Sequence, residues 1–533
     1  MKSGDDAIPV IDLFAGPGGL NEGFSRVRRH DGEHAFQVQL SIERDFHAHR
    51  TLELRSFFRK LGSGRVPEAY YDYLRRSENP EEIRRDELFA KFPDEAARAK
   101  EEAWLAELGK EEPRKVHERL SHVLGRATDW VLIGGPPCQA YSLVGRSRNR
   151  GKPNYVPEED ERQTLYLEYI QVVADHLPAV FVMENVKGLL SATLNDQRIF
   201  QRIVEDLHFP AKALERAGRP VSPRSRRHQV SGRYRIVSLV DRSLFDEHDV
   251  RRFVVRMEDH GIPQARHRVI LLGLREDLQP VNGGILRIES PVAASRVIDQ
   301  LPRLRSGLSR EDDNYEAWAA TILSVFERAW YRRLASRNGN LRSELVRVAE
   351  NIRQPRANRG AEFLACEPLC EYEPRWFLDG RMEGLCHHAT RSHIAADLQR
   401  YLYASCFARA FDRSPSLSDF PAELLPRHEN VQEALDGSLF ADRFRVQLRN
   451  RPATTITSHI GKDGHYYIHY DPTQCRSLTV REAARIQTFP DNYFFCGPRT
   501  SQYGQVGNAV PPLLAVQVGE IVSKLFRDSG LTS

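Results

Sequence analysis

The stretch Ile8–Leu20, IPVIDLFAGPGGL, decides the fold. Its first half is a short β-branched run of strand length. Three glycines crowd the turn that follows, and NEGFSRV beyond them has the look of a helix. A strand, a glycine turn and a helix in that order form a ligand cradle. Glycine lets backbone approach a bound molecule, and the helix start offers unpaired N–H groups to an anion or carboxylate. The turn Gly16-Pro17-Gly18-Gly19 is more compact than the dinucleotide pattern G-x-G-x-x-G. By itself it reads equally well as a plain structural turn. Glu43, closing the next probable strand VQLSIE, stands where an acidic residue meets ribose hydroxyls in a Rossmann-type site.

Working outward, Asp129–Gly135 (DWVLIGG), Ala179–Glu184 (AVFVME) and Arg268–Gly273 (RVILLG) are further apolar runs bounded by Gly, Pro or polar residues. Helix-like stretches such as Thr164–Asp175 lie between them. That alternation predicts an α/β fold on a mostly parallel, doubly wound sheet, with functional groups in loops at the strand C-termini. Two regions interrupt it. From about Thr51 to Leu124 the chain is charged and helical, with an Asn79 cap, Pro80 at the first helical position and a face of Trp104, Leu105 and Leu108; this reads as a solvated insertion or a partner-contacting one. From about Glu276 to Asn450 it is irregular and Arg-rich, which suggests a second domain. There the stretch His388–Phe411 reads as one helix with Ile394, Leu398, Leu402 and Cys406 at core spacing.

The chain has 533 residues, Lys+Arg 77 against Asp+Glu 73, and a formal charge of +4. That length predicts two to four domains at roughly 100–200 residues each. No apolar run approaches the ~20 residues that span a bilayer, and MKSGDDAIPV lacks a signal peptide's apolar stretch. Seven cysteines, an odd number, argue against a disulfide framework. They point instead to a reducing cytoplasm as the expected setting.

IGGPPCQAYS (Ile133–Ser142) is the most specific motif. A cysteine set after two prolines at the end of a strand is held rigidly at the functional edge. Cys138 reads as a nucleophile there, although a lone cysteine is more commonly a buried small hydrophobe. Arg146, Arg148, Arg150 and Lys152 follow at once, either a solvated face or a loop that closes over phosphates. FVMENVKGL places Glu184 and Asn185 at another strand end, where a carboxyl loses water and is favoured in its proton-donating form. QARHRV sets Arg266 and Arg268 on one side of the next strand. Cys366, Cys370, Cys386, His387 and His388 offer nitrogen and sulfur at loosely zinc-like spacing, but their acidic context is not that of a common finger. No carboxylate set for a metal-dependent nuclease stands out, and no catalytic metal is expected.

Taken together, these motifs resemble the bacterial Dcm-like DNA (cytosine-5) methyltransferase family. RPATTITS (Arg451–Ser458), RSLTVREAARIQTFPD (Arg476–Asp491) and YGQVGNAVPPLLA (Tyr503–Ala515) resemble its later motifs in the family's order. The resemblance covers about 1–50, 125–280 and 445–533. It implies a Rossmann-like S-adenosylmethionine-dependent methyltransferase domain over 1–278, carrying the helical insertion 51–124. A target-recognition domain over 279–471 and a returning segment 472–533 would complete the chain. Phe14, Ala15, Gly16, Gly18, Gly19, Leu20, Glu43, Pro136, Asn508 and Val510 would hold S-adenosylmethionine. Cys138 would add to C6 of a flipped-out cytosine, Glu184 and Asn185 would serve its N3/N4 edge, and Arg268, helped by Arg266, its O2. Gln139 and the basic run 146–152 would touch DNA, as would Arg353, Arg356 and Arg359. The family's adenine-binding Asp has no evident counterpart, because the insertion occupies that region. The implied partner is duplex DNA, acted on by a monomer within a restriction-modification or phage-defence system. A tRNA substrate and a catalytically silent DNA-binding relative remain as alternatives.

Overall fold

The structure is a computed structural model describing residues 7–62, 66–137, 161–191, 193–194, 197–221, 232–241, 250–278, 284–310, 312–334, 339–352, 358–426 and 443–531. Cys138, Gln139, Arg146, Arg148, Arg150, Lys152, Arg353 and Arg356 lie outside them.

The strand Ile8–Leu13 (β1) alternates its apolar side chains: Ile8 and Val10 join one buried cluster, Ile11 and Leu13 another. Val131 and Ile133 likewise point away from Leu132. Each strand is therefore covered on both sides, as a parallel sheet requires. β1, Phe36–Glu43 (β2), Ala103–Leu105 (β3), Val131–Gly134 (β4) and Val180–Val186 (β5) run parallel. Tyr234–Val237 (β6), Val254–Arg256 (β7) and His267–Arg275 (β8) complete an eight-stranded sheet ordered β3-β2-β1-β4-β5-β8-β6, with β7 beside the start of β8. β8 runs against all three of its neighbours. Leu13 faces Ile42 and Gly134, Gly134 faces Met183, and Val186 faces Arg268. The C-terminal ends of β1, β2, β4 and β5 thus share one edge with the beginning of β8. Strand order reverses between β1 and β4 at that edge, and the crevice of such a sheet opens there.

The 51–124 region departs from the expected solvated insertion. Helices Gly19–Arg26 (α1), Phe46–Lys60 (α2), Glu68–Arg75 (α3), Glu81–Lys91 (α4), Pro93–Glu102 (α5) and Pro113–Leu124 (α6) follow in order. Leu54, Phe57, Tyr70, Tyr73, Leu74 and Leu88 bury against Met382, Cys386, Phe494 and Cys496 of the second lobe. The insertion is a wedge between lobes, not a free surface. Trp104 and Leu105 belong to β3 and not to a helix, because Ser41–Glu43 present an open strand edge that three residues suffice to pair. α4 begins at Glu81 with Pro80 at its N-cap; the Asn79 carbonyl accepts from Arg84 Nε and caps nothing.

The second lobe has one apolar core running from Ala294 to Ala509. Its central helix, Ala395–Phe411 (α7), buries Leu398, Leu402 and Cys406, whereas Ile394 sits at the N-cap, 38% exposed. His388 lies outside that helix, in a hairpin of Gly360–Ala365 (β9) and Gly384–Ala389 (β10). The segment after 472 divides. Val480–Ile486 (α8) and Arg499–Asn508 (α9) pack in the second lobe, while Pro512–Asp528 (α10) returns to the first against Val10, Leu20 and Phe24. Arg499–Asp528, α9 and α10 together, meets the length and composition of a membrane span, yet 72% of its apolar window is buried in the protein. The Cys/His group does not converge: Cys370 Sγ donates to Tyr372 O at 3.1 Å, His387 Nε2 accepts from Phe495 N at 3.0 Å, and burial pushes the Cys386 thiol up to about 12. Among the described residues no three His, Cys, Asp or Glu side chains form a group that could hold a metal.

Candidate active site

A cavity of about 1470 Å³ opens at the sheet edge where these strand ends meet the second lobe. Phe14, Ala15, Gly16, Gly19, Leu20, Glu43, Pro136, Asn508 and Val510 line it, together with Glu184, Asn185, Arg266 and Arg268. Gly18 stands behind this wall. Its φ of +91° ends the turn, and a Cβ there would meet Leu52 Cδ2 at 2.7 Å.

The glycine turn is held by its neighbours. Ala15 N donates to Ile42 O at 3.1 Å and Gly16 N to Glu43 Oε2 at 2.8 Å, so the end of β2 braces the loop after β1. The other Glu43 oxygen accepts from Asp45 N at 2.7 Å. Burial pushes this carboxyl up while both N–H donors pull it back. At Gly19 a Cβ would stand 2.1 Å from Val510 O, so only glycine lets the C-terminal segment approach.

Two lining carboxylates escaped the sequence reading. Asp12, 1% exposed, has no hydrogen-bond partner on either oxygen among the described residues, and burial followed by the nearby Glu43 charge raises it well above the usual range. A carboxylate inside an otherwise apolar strand was the available signal. Glu107 follows β3 and lines the cavity with Ala106 and Leu108; its Oε1 accepts from Arg44 Nη1 at 3.2 Å. A strand as short as AWL carries no pattern that would have located it.

On the opposite wall Arg268 Nε lies 2.9 Å from Glu184 Oε1. Glu184 is therefore ion-paired, and not the isolated carboxyl expected at its strand end. Asn185 Nδ2 donates to Pro136 O at 3.2 Å and its Oδ1 accepts from Val186 N at 2.8 Å, which ties β5 to the turn leading into Cys138. A Cβ on Gly135 would meet Glu184 Oε2 at 3.2 Å. The glycines there let the turn run close over the carboxylate.

Arg266 is 2% exposed, and its Nη1 donates to Ile456 O at 2.7 Å and Gly507 O at 3.3 Å. Burial, reinforced by the Arg268 cation, lowers its guanidinium to about 9. Beside it Gln264 Nε2 donates to Gln487 Oε1 at 2.6 Å, while Gln264 Oε1 accepts from Ile456 N at 2.6 Å. Arg266 and Gln264 thus fasten the start of β8 to the second lobe.

The family model for C-5 cytosine-specific DNA methylase matches residues 123–209 and 246–524. The type II methyltransferase M.Bpa9945I of Bacillus paralicheniformis is 32% identical over 537 residues, covering 97% of this chain and 99% of the relative. DNA (cytosine-5-)-methyltransferase M.ApeKI of Aeropyrum pernix is 28% identical over 420 residues, 74% of this chain and 81% of its own. Among solved structures, a prophage-encoded E. coli protein assigned to the DNA modification methyltransferases covers 98% of this chain and 100% of its own at 17% identity, with a TM-score of 0.50, and supports the fold. Motif order, sheet topology and relatives agree: this chain belongs to the C-5 cytosine-specific DNA methylase family and is a DNA (cytosine-5-)-methyltransferase.

Proposed function

We propose that the protein methylates C5 of cytosine within a specific duplex DNA sequence, using S-adenosylmethionine and a transient bond between Cys138 and C6 of a flipped-out base. The observation that carries this reading is the Glu184–Arg268 pair, on the wall of the same cavity as the glycine turn and beside Gly135–Pro137.

The cavity suits a cationic, carboxylate-bearing cofactor. Among the described residues Asp12 has two unpartnered buried oxygens and Gly16 has open space where a Cβ would project, and α1 points its start at the turn. Phe14, Ala15, Gly16, Gly19 and Leu20 would cradle it, with Asn508 and Val510 closing the far side and Gly18 setting the turn. Glu43 braces the loop with both oxygens and would meet ribose hydroxyls through its remaining lone pairs. Glu107, which follows β3 and lines the cavity, would serve the adenine amino group, the role the resemblance gives to an Asp. S-adenosylmethionine, when bound, supplies a methyl group on positively charged sulfur.

Cytosine C5 is too weak a nucleophile to act unaided. Addition of the Cys138 thiolate to C6 turns the ring enamine-like and moves electrons toward C5 and N3. Glu184, released from Arg268 as the base enters and carrying a proton, delivers it to N3, and Arg268 turns to hold O2. Asn185 positions the Cys138 turn through Pro136 O. Once C5 carries the methyl group, loss of its proton to a base and departure of the sulfur restore the thiolate, and N3 returns its proton to Glu184. A base stacked in duplex cannot reach this depth, so it is extruded. Gln139 and the basic residues 146–152 would close over the DNA, and residues 279–471 of the second lobe would read the sequence, with Arg359 half-buried and already paired with Asp313.

A role in restriction-modification or phage defence agrees with the type II relatives. Bisulfite sequencing of a bacterial genome expressing the protein tests the reading. Methylated cytosines in one short motif are expected; methylation confined to tRNA, or none, would overturn it.

A further inference from the structure

We infer that Tyr493, a second-lobe residue outside the cavity wall, is a positioning residue for the cofactor loop, so that cofactor affinity depends on how the second lobe is seated. This rests on the cavity being the S-adenosylmethionine site. Tyr493 is 1% exposed, and its hydroxyl donates to Pro17 O at 2.5 Å. Pro17 is the central residue of the glycine turn. Proline has no N–H to anchor itself, so its carbonyl is the group through which the turn's apex can be held. The phenol also stands 3.1 Å from the place a Gly18 Cβ would occupy, directly behind the turn.

The tyrosine is itself fixed from the second lobe. Arg481 Nη2 donates to Tyr493 O at 2.9 Å, and the Phe489 and Phe495 rings pack at 4.7 and 5.4 Å. A charged relay runs beside it. Arg55 of α2 grips Glu22 of α1 through both oxygens, at 2.8 and 2.6 Å, and reaches Asn492 Oδ1 at 3.1 Å. Its guanidinium lies 4.8 Å from the Tyr493 ring centroid. Opposite charges hold Glu22 ionised well below the usual carboxylate range despite burial. Two adjacent second-lobe residues therefore hold the glycine turn and the helix it starts. A shift of the second lobe must move the Pro17 carbonyl or leave it unsatisfied in a buried site.

Tyr493→Phe deletes only the hydroxyl. Tyr503→Phe is the control, an equally buried second-lobe phenol donating to Leu478 O at 2.6 Å, away from the loop. The expected result for Tyr493→Phe is about fivefold weaker S-adenosylmethionine binding by calorimetry, the size of one net hydrogen bond. KM for S-adenosylmethionine should rise in parallel, with kcat at saturation and duplex DNA affinity unchanged. Tyr503→Phe should leave cofactor affinity at the wild-type value. Asn492→Ala, which removes the Oδ1 acceptor of Arg55 Nη1 and leaves it only the Asn492 main-chain carbonyl at 3.4 Å, should shift affinity in the same direction and serves if Tyr493→Phe fails to fold. Equal binding by wild type and Tyr493→Phe, or equal losses in both tyrosine variants, would overturn the positioning role. Failure of the wild type to bind S-adenosylmethionine would overturn the reading of the cavity instead.

Discussion

Arg268 and Glu184 come from antiparallel neighbours, β8 and β5, and meet at 2.9 Å between Nε and Oε1. The reversed direction of β8 is what allows this. Its first residues lie beside the last residues of β5, so an arginine opening one strand faces a carboxylate closing the other. Arg268 is steadied from a second side as well, its Nη1 donating to His267 O at 2.9 Å. Both remain on the cavity wall with side chains 14% exposed, ready to exchange one another for a polar ring edge.

Glu184→Gln keeps the shape and loses the proton. Turnover should fall on the order of 10²–10³-fold with duplex binding retained, as expected when a group acts mainly in the transition state. Single-turnover methyl transfer at saturating DNA and cofactor measures it. A change confined to KM would assign Glu184 to binding alone.

Asp12→Asn should separate stability from function. A carboxyl raised by burial contributes stability at low pH that is lost as pH climbs past its ordinary 3.8 toward its raised folded value. The neutral amide should therefore raise the melting temperature at pH 7.5 without cofactor and weaken S-adenosylmethionine binding. Unchanged affinity would remove Asp12 from the cofactor site.

Gly19→Ala should be severe for its size. The new Cβ would meet Val510 O at 2.1 Å, where backbone must yield. A loss of about 1–3 kcal/mol is expected from denaturant unfolding. Gly504→Ala in α9, with nothing within 4 Å of the added carbon, should be neutral or slightly stabilising.

Mild acid should weaken the second lobe through its buried histidines. His388 and His469 are held neutral, both lowered from 6.5 to about 4, chiefly by burial. His388 Nε2 donates to Pro302 O at 2.8 Å, so its Nδ1, 3.1 Å from Thr479 Oγ1, accepts. Below pH 6.5 the unfolded chain takes protons that the folded lobe refuses, so stability falls as pH drops from about 6.5 to about 4. Each histidine accounts for roughly 3 kcal/mol over that span. Chemical unfolding followed between pH 7 and 4.5 measures the slope, and His388→Asn should flatten it.

The core strands were legible because β-branched runs closed by glycine, proline or polar residues are local signals; β1, β2, β4, β5 and β8 all carry them. The direction of β8 was not, since a fully buried run looks the same whichever way it lies. β3 was hidden for another reason: three residues pair only because Ser41–Glu43 wait for them. In the site, the glycine turn, Glu184 and Arg268 stand out in sequence. Gln264, Gln487 and Tyr493 act through partners more than 200 residues away, and nothing local marks them. Arg266 was read as a helper at the base. Its geometry instead fastens it to Ile456 and Gly507 of the other lobe.

The central claim is the bond between Cys138 and an extruded cytosine, and a duplex bearing 5-fluorocytosine at the target position tests it most directly. With S-adenosylmethionine present, the fluorine cannot leave as a proton does, and the complex should survive denaturing electrophoresis as a covalent adduct. Cys138→Ser should abolish that adduct. An adduct that persists in Cys138→Ser, or active enzyme that forms none, would contradict the mechanism.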